Sequence, residues 1–579
     1  MMDENGIRAG TTWRRYYCPS SPNYHRLCDN VIEAMARRYG AHPALIGWQT
    51  DNEVSGQICY CEHCQQAMRA WLKEKYGCVA RLNRDLGMVF WAHEATDWDQ
   101  IVFPRRDAEN NRANPSMRLE IRRFFSDQWA RFLNRQVEII RLYAPKTWTT
   151  HNLPGFQIFC DLYDLAAAHD FLSIDFYPKA TIDPPGRVNI ANDITRSCQQ
   201  RPHWVLEVQT GTPCTKFYKA PVPRKGQLAV YAHQSAAHGA EGVVYFRWRK
   251  SPAGAEMFGN GLLDHDARPR RQYEEIKRLG AEFAKLAEAL PEYDAPSEVA
   301  LVFDYADRCN AAIHDFAMDV NYFGYLTEWH NAAAALGLNV RFVRSTDDLS
   351  PYKIVIAPNQ FIASPQTASN YKRYVRAGGV LVGALRMGVF DVFGKPSQLT
   401  MPGGMTDLFG AEVEEYERVM ETNPNSVTFA GEIGGSADCR NWNYYLNDLG
   451  AKPLAKYDKE FYAGRTAISI NEFGAGRAVY VGTMLGAQPM VKLMGFLAAQ
   501  AGLETLPKDW PAAVERTRLA TPKGETVFAL VNHADAPQSV NLALDGLDLV
   551  SGETGSVWSL APLSARWIKI KAKGKGKKP

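Results

Sequence analysis

The stretch GWQTDNEVSGQICYCEHC, residues 47–64, sets a carboxylate, Glu53, next to an amide, Asn52, and adds three thiols, Cys59, Cys61 and Cys64, close behind them. The Cys-x-Cys-x-x-Cys spacing puts three thiolates on one short loop entering a helix, compact enough to wrap one soft cation. Structural zinc takes four ligands in a tetrahedron, so a fourth has to come from elsewhere. Cys18, in RRYYCPSSP on the loop leading into the preceding helix, is the candidate, whereas Cys28 lies inside an amphipathic helix and reads as core. Cysteine is also a small hydrophobe, and four unrelated buried thiols would give the same composition. Three thiols within six residues favour the metal. Four thiolates leave no open position, so such a metal would pin the loop beside Glu53 and take no part in chemistry.

A second carboxylate, Glu207 in WVLEVQ, stands at a corresponding strand end 154 residues after Glu53. Paired carboxylates are the equipment for cleaving a glycosidic bond. One protonates the departing oxygen and the other attacks the anomeric carbon, with retention of configuration when the two lie about 5 to 5.5 Å apart. Taken singly, each Glu reads equally well as a solvated strand end or half of an ion pair. Trp91, Trp98, Phe176, Tyr177, Phe217, Tyr245 and Trp248 fall near strand ends or loops, where sugar faces could stack, although core packing accounts for any one of them.

The elements that must carry these residues are short apolar strands alternating with amphipathic helices up to residue 290. Strands are expected at 44–50, 147–153, 171–178, 204–209 and 243–249, each separated from the next by helical periodicity closed with Gly or Pro. Strands apolar on both faces and joined by helices make parallel βα units. Asn52, Glu53, His151, Asn152, Asp175, Glu207, Arg247 and Arg249 fall at strand carboxyl ends, where a βα barrel carries its active site. Only five of the eight strands of such a barrel can be counted. Prolines 291 and 296 mark a boundary, after which strands and helices alternate again over 291–508 as an open α/β domain. No Gly-x-Gly-x-x-Gly turn follows a strand there, so no organic cofactor is expected. Residues 509–570 read as a small antiparallel β-sandwich, and 571–579 as a disordered basic tail.

A chain of 579 residues exceeds one hydrophobic core and is expected to fold as about three domains. Its formal charge of +3 comes from the tail, whose KAKGKGKKP holds five lysines; the remainder stands at −2 and has no nucleic-acid footprint. No apolar run reaches the roughly 18 residues a membrane span needs. Eleven unevenly spaced cysteines suit a reducing compartment better than a disulfide framework, so a cytoplasmic location is expected. The opening residues, MMDENGIRAGTTWRR, lack the apolar centre of a signal peptide.

RRYYCPSSP, HPALIGWQTDNE, CYCEHC, WLKEKYG, HGAEGVVYFRWRKSPAGAE and YVRAGGVLVGALRMGVFD together resemble the glycoside hydrolase family 42 β-galactosidases over nearly the whole chain. The resemblance implies a (β/α)8 barrel of the TIM type, a Rossmann-like second domain that mediates trimerisation, and a C-terminal β-sandwich. It implies a retaining, exo-acting hydrolase removing terminal β-D-galactose, with Glu53 as acid/base, Glu207 as nucleophile, and Cys18, Cys59, Cys61 and Cys64 holding structural zinc. Arg14 matches a sugar-binding arginine, Asn52 the amide for the 2-hydroxyl, Trp91 a pocket wall, and Glu256 a carboxylate gripping distal hydroxyls. Family members carry further residues ahead of this start, comprising the first three βα units of the barrel, which are expected to be missing; any export signal would be hidden with them. Two other departures matter. Gly259 replaces a family histidine, and TGTPCTKFYK lacks a family tryptophan that Phe217 would replace. An altered glycone, such as an arabinopyranoside or fucoside, is therefore an alternative. If the barrel is truly incomplete, so is a non-catalytic sugar-binding or assembly protein.

Overall fold

A computed structural model describes the chain except for residues 11–13, 55, 105–112, 156–159, 181, 212–218 and 572–579, and the side chain of 316. Nearly all of the basic tail, and Phe217, therefore lie outside the described residues. Five parallel strands form in the five stretches expected: β1 (Gly47–Gln49), β2 (Trp148–Pro154), β3 (Phe171–Asp175), β4 (His203–Gln209) and β5 (Ala240–Phe246). They lie side by side in chain order, so Glu53 follows the first strand and Glu207 sits in the fourth. Trp148, Phe171 and Trp204 pack at tilted angles across the amino-terminal ends with ring centroids 5.1 to 5.9 Å apart. Gly47 and Gly242 lie against the Trp148 and Trp204 rings, and a Cβ at either position would clash with indole carbons. The 29-residue helix Pro115–Tyr143 leads into β2. Asn114 Oδ1 caps it by accepting the Met117 N–H at 3.0 Å, and Pro115 occupies the first turn, where its missing N–H costs nothing.

The second domain begins with β6 (Val299–Val302), β7 (Val340–Val343), β8 (Ile354–Ala357) and β9 (Val380–Ala384), every residue of which is buried. With the strand Gly476–Val481 they run parallel in the order β7-β6-β8-β9-(476–481). That is the flavodoxin-like variant of the doubly wound fold expected here. Antiparallel strands, among them Arg440–Asp448, Lys452–Tyr457 and Thr466–Phe473, extend the sheet beyond 476–481. The last five strands, from Val514–Ala520 to Ser564–Ile570, join one antiparallel sheet instead of the two facing sheets of the expected sandwich. The long strand Gln538–Asp548 makes this possible. It pairs along its length with Thr554–Leu560, and only its last residues turn onto Ser564–Ile570, so the sheet curls around Phe528, Leu530, Val540, Trp558 and Ile568.

A buried ionic network ties the three regions together. Asp193, on the helix Pro185–Ser197, accepts from Arg196 Nε at 2.7 Å and pairs with His238 Nδ1 at 2.9 Å and His330 Nε2 at 2.8 Å. His238 Nε2 reaches Glu515 of the C-terminal sheet at 2.9 Å, and His533 and Gln234 bind the other Glu515 oxygen at 3.0 Å each. Burial opposes charge on His238, but Asp193 and Glu515 outweigh it and push its pKa up to about 9.

Candidate active site

At the carboxyl edge of β1–β4, one carboxylate oxygen from each of Glu53, Asp175 and Glu207 lies within 4.8 Å of the other two. The two glutamates expected to converge do so. Asp175, recognised in the sequence only as a strand-end residue, is the third member.

The backbone that presents Glu53 is strained. Asp51 and Glu53 have φ of +49° and +48°, a left-handed conformation that costs a side-chain-bearing residue roughly 1–2 kcal/mol. The neighbouring strand β2 offsets that cost with two directed hydrogen bonds. Asn152 Oδ1 on β2 accepts the Glu53 N–H at 3.0 Å, and His151 Nε2 accepts the Val54 N–H at 3.1 Å. Complete burial lowers the His151 pKa to about 4, so the ring is neutral; its Nδ1 donates to the Thr50 carbonyl at 2.6 Å, leaving Nε2 as the acceptor. Asn152 uses its whole amide: Oδ1 also accepts from Gln49 Nε2 at 2.9 Å, while Nδ2 donates to Asn52 Oδ1 at 2.9 Å and to Asp175 Oδ2 at 2.5 Å. One side chain thus registers three strands. Asn52 Nδ2 is left facing Glu53 Oε2 at 3.5 Å.

Each glutamate has a different neighbourhood. Glu53 Oε2 accepts from Arg14 at 2.8 Å and from Arg15 at 2.5 Å; Arg14 is 62% exposed and Arg15 18%. Glu207 Oε2 accepts the Tyr177 O–H at 2.5 Å. Burial raises the Glu207 pKa, as do the charges of Glu53 and Glu256, while the Tyr177 hydroxyl and Arg14 pull it down. Asp175 is 2% exposed. Burial and then the charges of Glu207 and Glu53 push its pKa far above the carboxylate range.

Of the other expected residues, Glu256 binds Arg247 Nη2 at 2.7 Å and lies near enough for its charge to act on Glu207. Trp91 is exposed on the loop beyond the helix Val79–Leu86, its ring 4.8 Å from that of Phe90. Sequence reasoning singled out Arg14 but passed over Arg15 beside it.

Cys18, Cys59, Cys61 and Cys64 come together, all four sulfurs within 4.8 Å of one another. Cys18 Sγ stands 3.5 Å from that of Cys61 and 3.3 Å from that of Cys64. The backbone N–H groups of Met2 and Ser20 point at the Cys59 and Cys18 sulfurs, each at 3.4 Å, as donors to thiolates would. The set fits a tetrahedral thiolate site, in which sulfurs about 2.3 Å from the ion stand about 3.8 Å apart.

A parallel βα sheet with paired carboxylates at its carboxyl edge and a doubly wound domain behind it defines a barrel-type hydrolase. Residues 1–286 match the β-galactosidase model of glycoside hydrolase family 42, and residues 297–504 match the β-galactosidase trimerisation domain. β-Galactosidase BgaA of Clostridium cellulovorans is 30% identical over 541 residues, covering 92% of this chain and 80% of that protein. The crystal structure of a β-galactosidase from Bacillus circulans sp. alkalophilus superposes with a TM-score of 0.94 at 25% identity, over 98% of this chain and 86% of that one. A catalytic mutant of Gan42B, a family 42 β-galactosidase from G. stearothermophilus, superposes with a TM-score of 0.91 at 26% identity, over 98% and 84%. The chain belongs to the glycoside hydrolase family 42 β-galactosidases. No helix among its described residues is long and apolar enough to cross a membrane.

Proposed function

We propose that this chain is a retaining exo-β-galactosidase, its five parallel strands forming part of a (β/α)8 barrel, with Glu207 as nucleophile and Glu53 as acid/base. Glu207 attacks the anomeric carbon as the bond to the aglycone breaks, and Glu53 gives its proton to the departing oxygen. Glu53 then takes a proton from water, which attacks the same carbon and releases Glu207. The observation that carries this reading is the convergence of the Glu53 and Glu207 oxygens within 4.8 Å, short of the roughly 6.5 Å that an inverting pair needs for water between them. Tyr177 and Arg14 favour the ionised Glu207 that attack requires.

Around that pair, Arg14, with its exposed guanidinium, and Asn52 Nδ2 would bind sugar hydroxyls, Glu256 would grip distal ones, and Trp91 and Phe217 would wall the sugar. The four cysteines would hold zinc as a structural ion, which closes the loop carrying Glu53 and supplies no chemistry to the reaction. The domain matching the trimerisation model would assemble a homotrimer. A panel of nitrophenyl glycosides tests the glycone. Fastest release from β-D-galactoside is expected. Preference for an arabinopyranoside or fucoside would move the assignment to the alternative left open by Gly259, where the chain turns with only a backbone N–H, donated to the Glu256 carbonyl at 2.8 Å. A folded sample that binds galactose and hydrolyses none of the panel would overturn the enzyme reading.

A further inference from the structure

Retaining chemistry needs two carboxyl groups, and this site has three. Asp175 cannot be a solvated bystander at 2% exposure, and no arginine or lysine pairs with it among the described residues. Its Oδ2 is taken by the Asn152 amide at 2.5 Å, and its Oδ1 is buried with no donor reaching it. An oxygen in that position is satisfied if it carries a hydrogen itself and donates. A carboxylate acceptor is close by, since an oxygen of Glu53 lies within 4.8 Å of one of Asp175.

We propose that Asp175 is a positioning residue that shares one proton with Glu53 and so supplies the acid/base in its protonated form; this rests on the galactosidase reading above. At rest, the proton sits on Asp175 Oδ1 and points at the Glu53 carboxylate, whose charge Arg14 and Arg15 hold from the other side. When the aglycone oxygen gathers negative charge, the Asp175 O–H bond breaks as Glu53 gains the proton, and Glu53 passes it on to that oxygen. The attacking Glu207 loses its charge to the ester at the same moment. Negative charge therefore moves from Glu207 to the Glu53–Asp175 pair, and the total borne by the three groups does not change through the step. Water returns one proton to the pair when the ester is hydrolysed. A third carboxyl group is tolerable here because it is ionised only while its neighbour Glu207 is esterified.

The test is Asp175→Asn, which keeps the shape and an amide oxygen to accept from Asn152 Nδ2 but removes the transferable acid proton. The alkaline limb of its kcat/KM profile should move acidward by at least one pH unit while the acid limb stays in place, and Asp175→Glu should move the limb back. A purely structural role would lower the rate at every pH and leave the limb where it is, and that result would overturn the proposal. A second readout needs no turnover. At about pH 8, the infrared spectrum of the wild-type protein should contain, beside any band of the buried Asp307 that all variants share, the C=O stretch of a protonated carboxylic acid, retained in Glu53→Gln and absent from Asp175→Asn. A wild-type spectrum without the band, or a band that disappears with Glu53 and survives the loss of Asp175, would overturn it. Should Asp175→Asn fail to fold, the wild-type and Glu53→Gln spectra decide. A band present in a protein that hydrolyses no galactoside would count against the galactosidase reading and leave the shared proton standing.

Discussion

Glu53, Asp175 and Glu207 crowd three acids together, whereas Asp193, Arg196, His238, Glu515 and His533 alternate acid with base through the interior. Each cluster has a buried acid at its centre, Asp175 or Asp193, and both are held by hydrogen bonds from neighbouring elements. The difference lies in the sign of what each acid faces. Asp175 meets two other carboxyl groups, and its pKa is driven up by burial and by their charge. Asp193 is equally buried, yet His238 and Arg196 hold its pKa well below the usual range. Like charges at close quarters store free energy that a reaction can use, while alternating charges lock elements together. The first cluster sits on strained backbone at a sheet edge, the second where the barrel helix, the doubly wound domain and the C-terminal sheet meet.

The largest expected effect breaks the acidic cluster. Glu207→Ala should lower kcat on a nitrophenyl galactoside by about four orders of magnitude or more, as removal of a nucleophile does, while the folded fraction by circular dichroism is unchanged. A rate within tenfold of wild type would show that the cluster does not do the chemistry assigned to it. The converse substitution is Asp193→Ala, which leaves Arg196 and His238 buried without their carboxylate. It should cost roughly 3–5 kcal/mol in denaturant unfolding yet leave the kcat of the folded fraction within about twofold. Loss of activity with unchanged stability would reverse the roles given to the two clusters.

The pH dependence of stability sharpens the contrast. The His238 pKa is raised from 6.5 to about 9 in the folded state, so its contribution is fully present below pH 6.5 and is lost as pH rises through 9. Asp193 and Glu515 have lowered pKa values, so their contributions hold above the unfolded carboxylate range and are lost only as pH falls below it. The midpoint of urea denaturation should therefore decline between pH 6.5 and 9, and His238→Gln should flatten that decline. A wild-type midpoint that stays level over this interval would contradict the network. Smallest in effect on rate, chelation of the zinc proposed for the four thiols should lower the melting temperature by several degrees while the initial rate of the still-folded enzyme stays unchanged. A rate that falls in step with metal loss would give the ion a part in the chemistry.

The strands bearing chemistry were legible because a buried parallel strand is a short, nearly continuous apolar run, and Glu53 and Glu207 stand where two such runs end. Four thiols were legible because three of them lie within six residues. Asp175 ends a strand in the same way as Glu207, but local sequence does not say whether a strand-end acid faces water, a cation or another acid. The role of Arg15 beside Arg14 was hidden for the same reason, since bringing both guanidiniums to Glu53 involves a turn with φ of +62° at Arg15. The alternating network was out of reach: Asp193 and Glu515 are 322 residues apart, and each alone reads as a solvated charge. In the second domain the strand Arg440–Asp448, RNWNYYLND, is interrupted by asparagines and lacks the apolar run that exposed its parallel neighbours. The C-terminal strands were visible as strands, but their closure into one curled sheet depends on which partners Gln538–Asp548 finds along its length.

The central claim is that Glu207 attacks the sugar while Glu53 manages the proton. It is tested most directly by treating the protein with a 2-deoxy-2-fluoro-β-galactosyl fluoride, which slows release of a covalent intermediate, and locating the adduct by peptide mass spectrometry. One fluorogalactosyl group on Glu207, with stoichiometric loss of activity, is the predicted result. A label on Glu53 or Asp175, or full turnover with inversion and no adduct, would contradict the account.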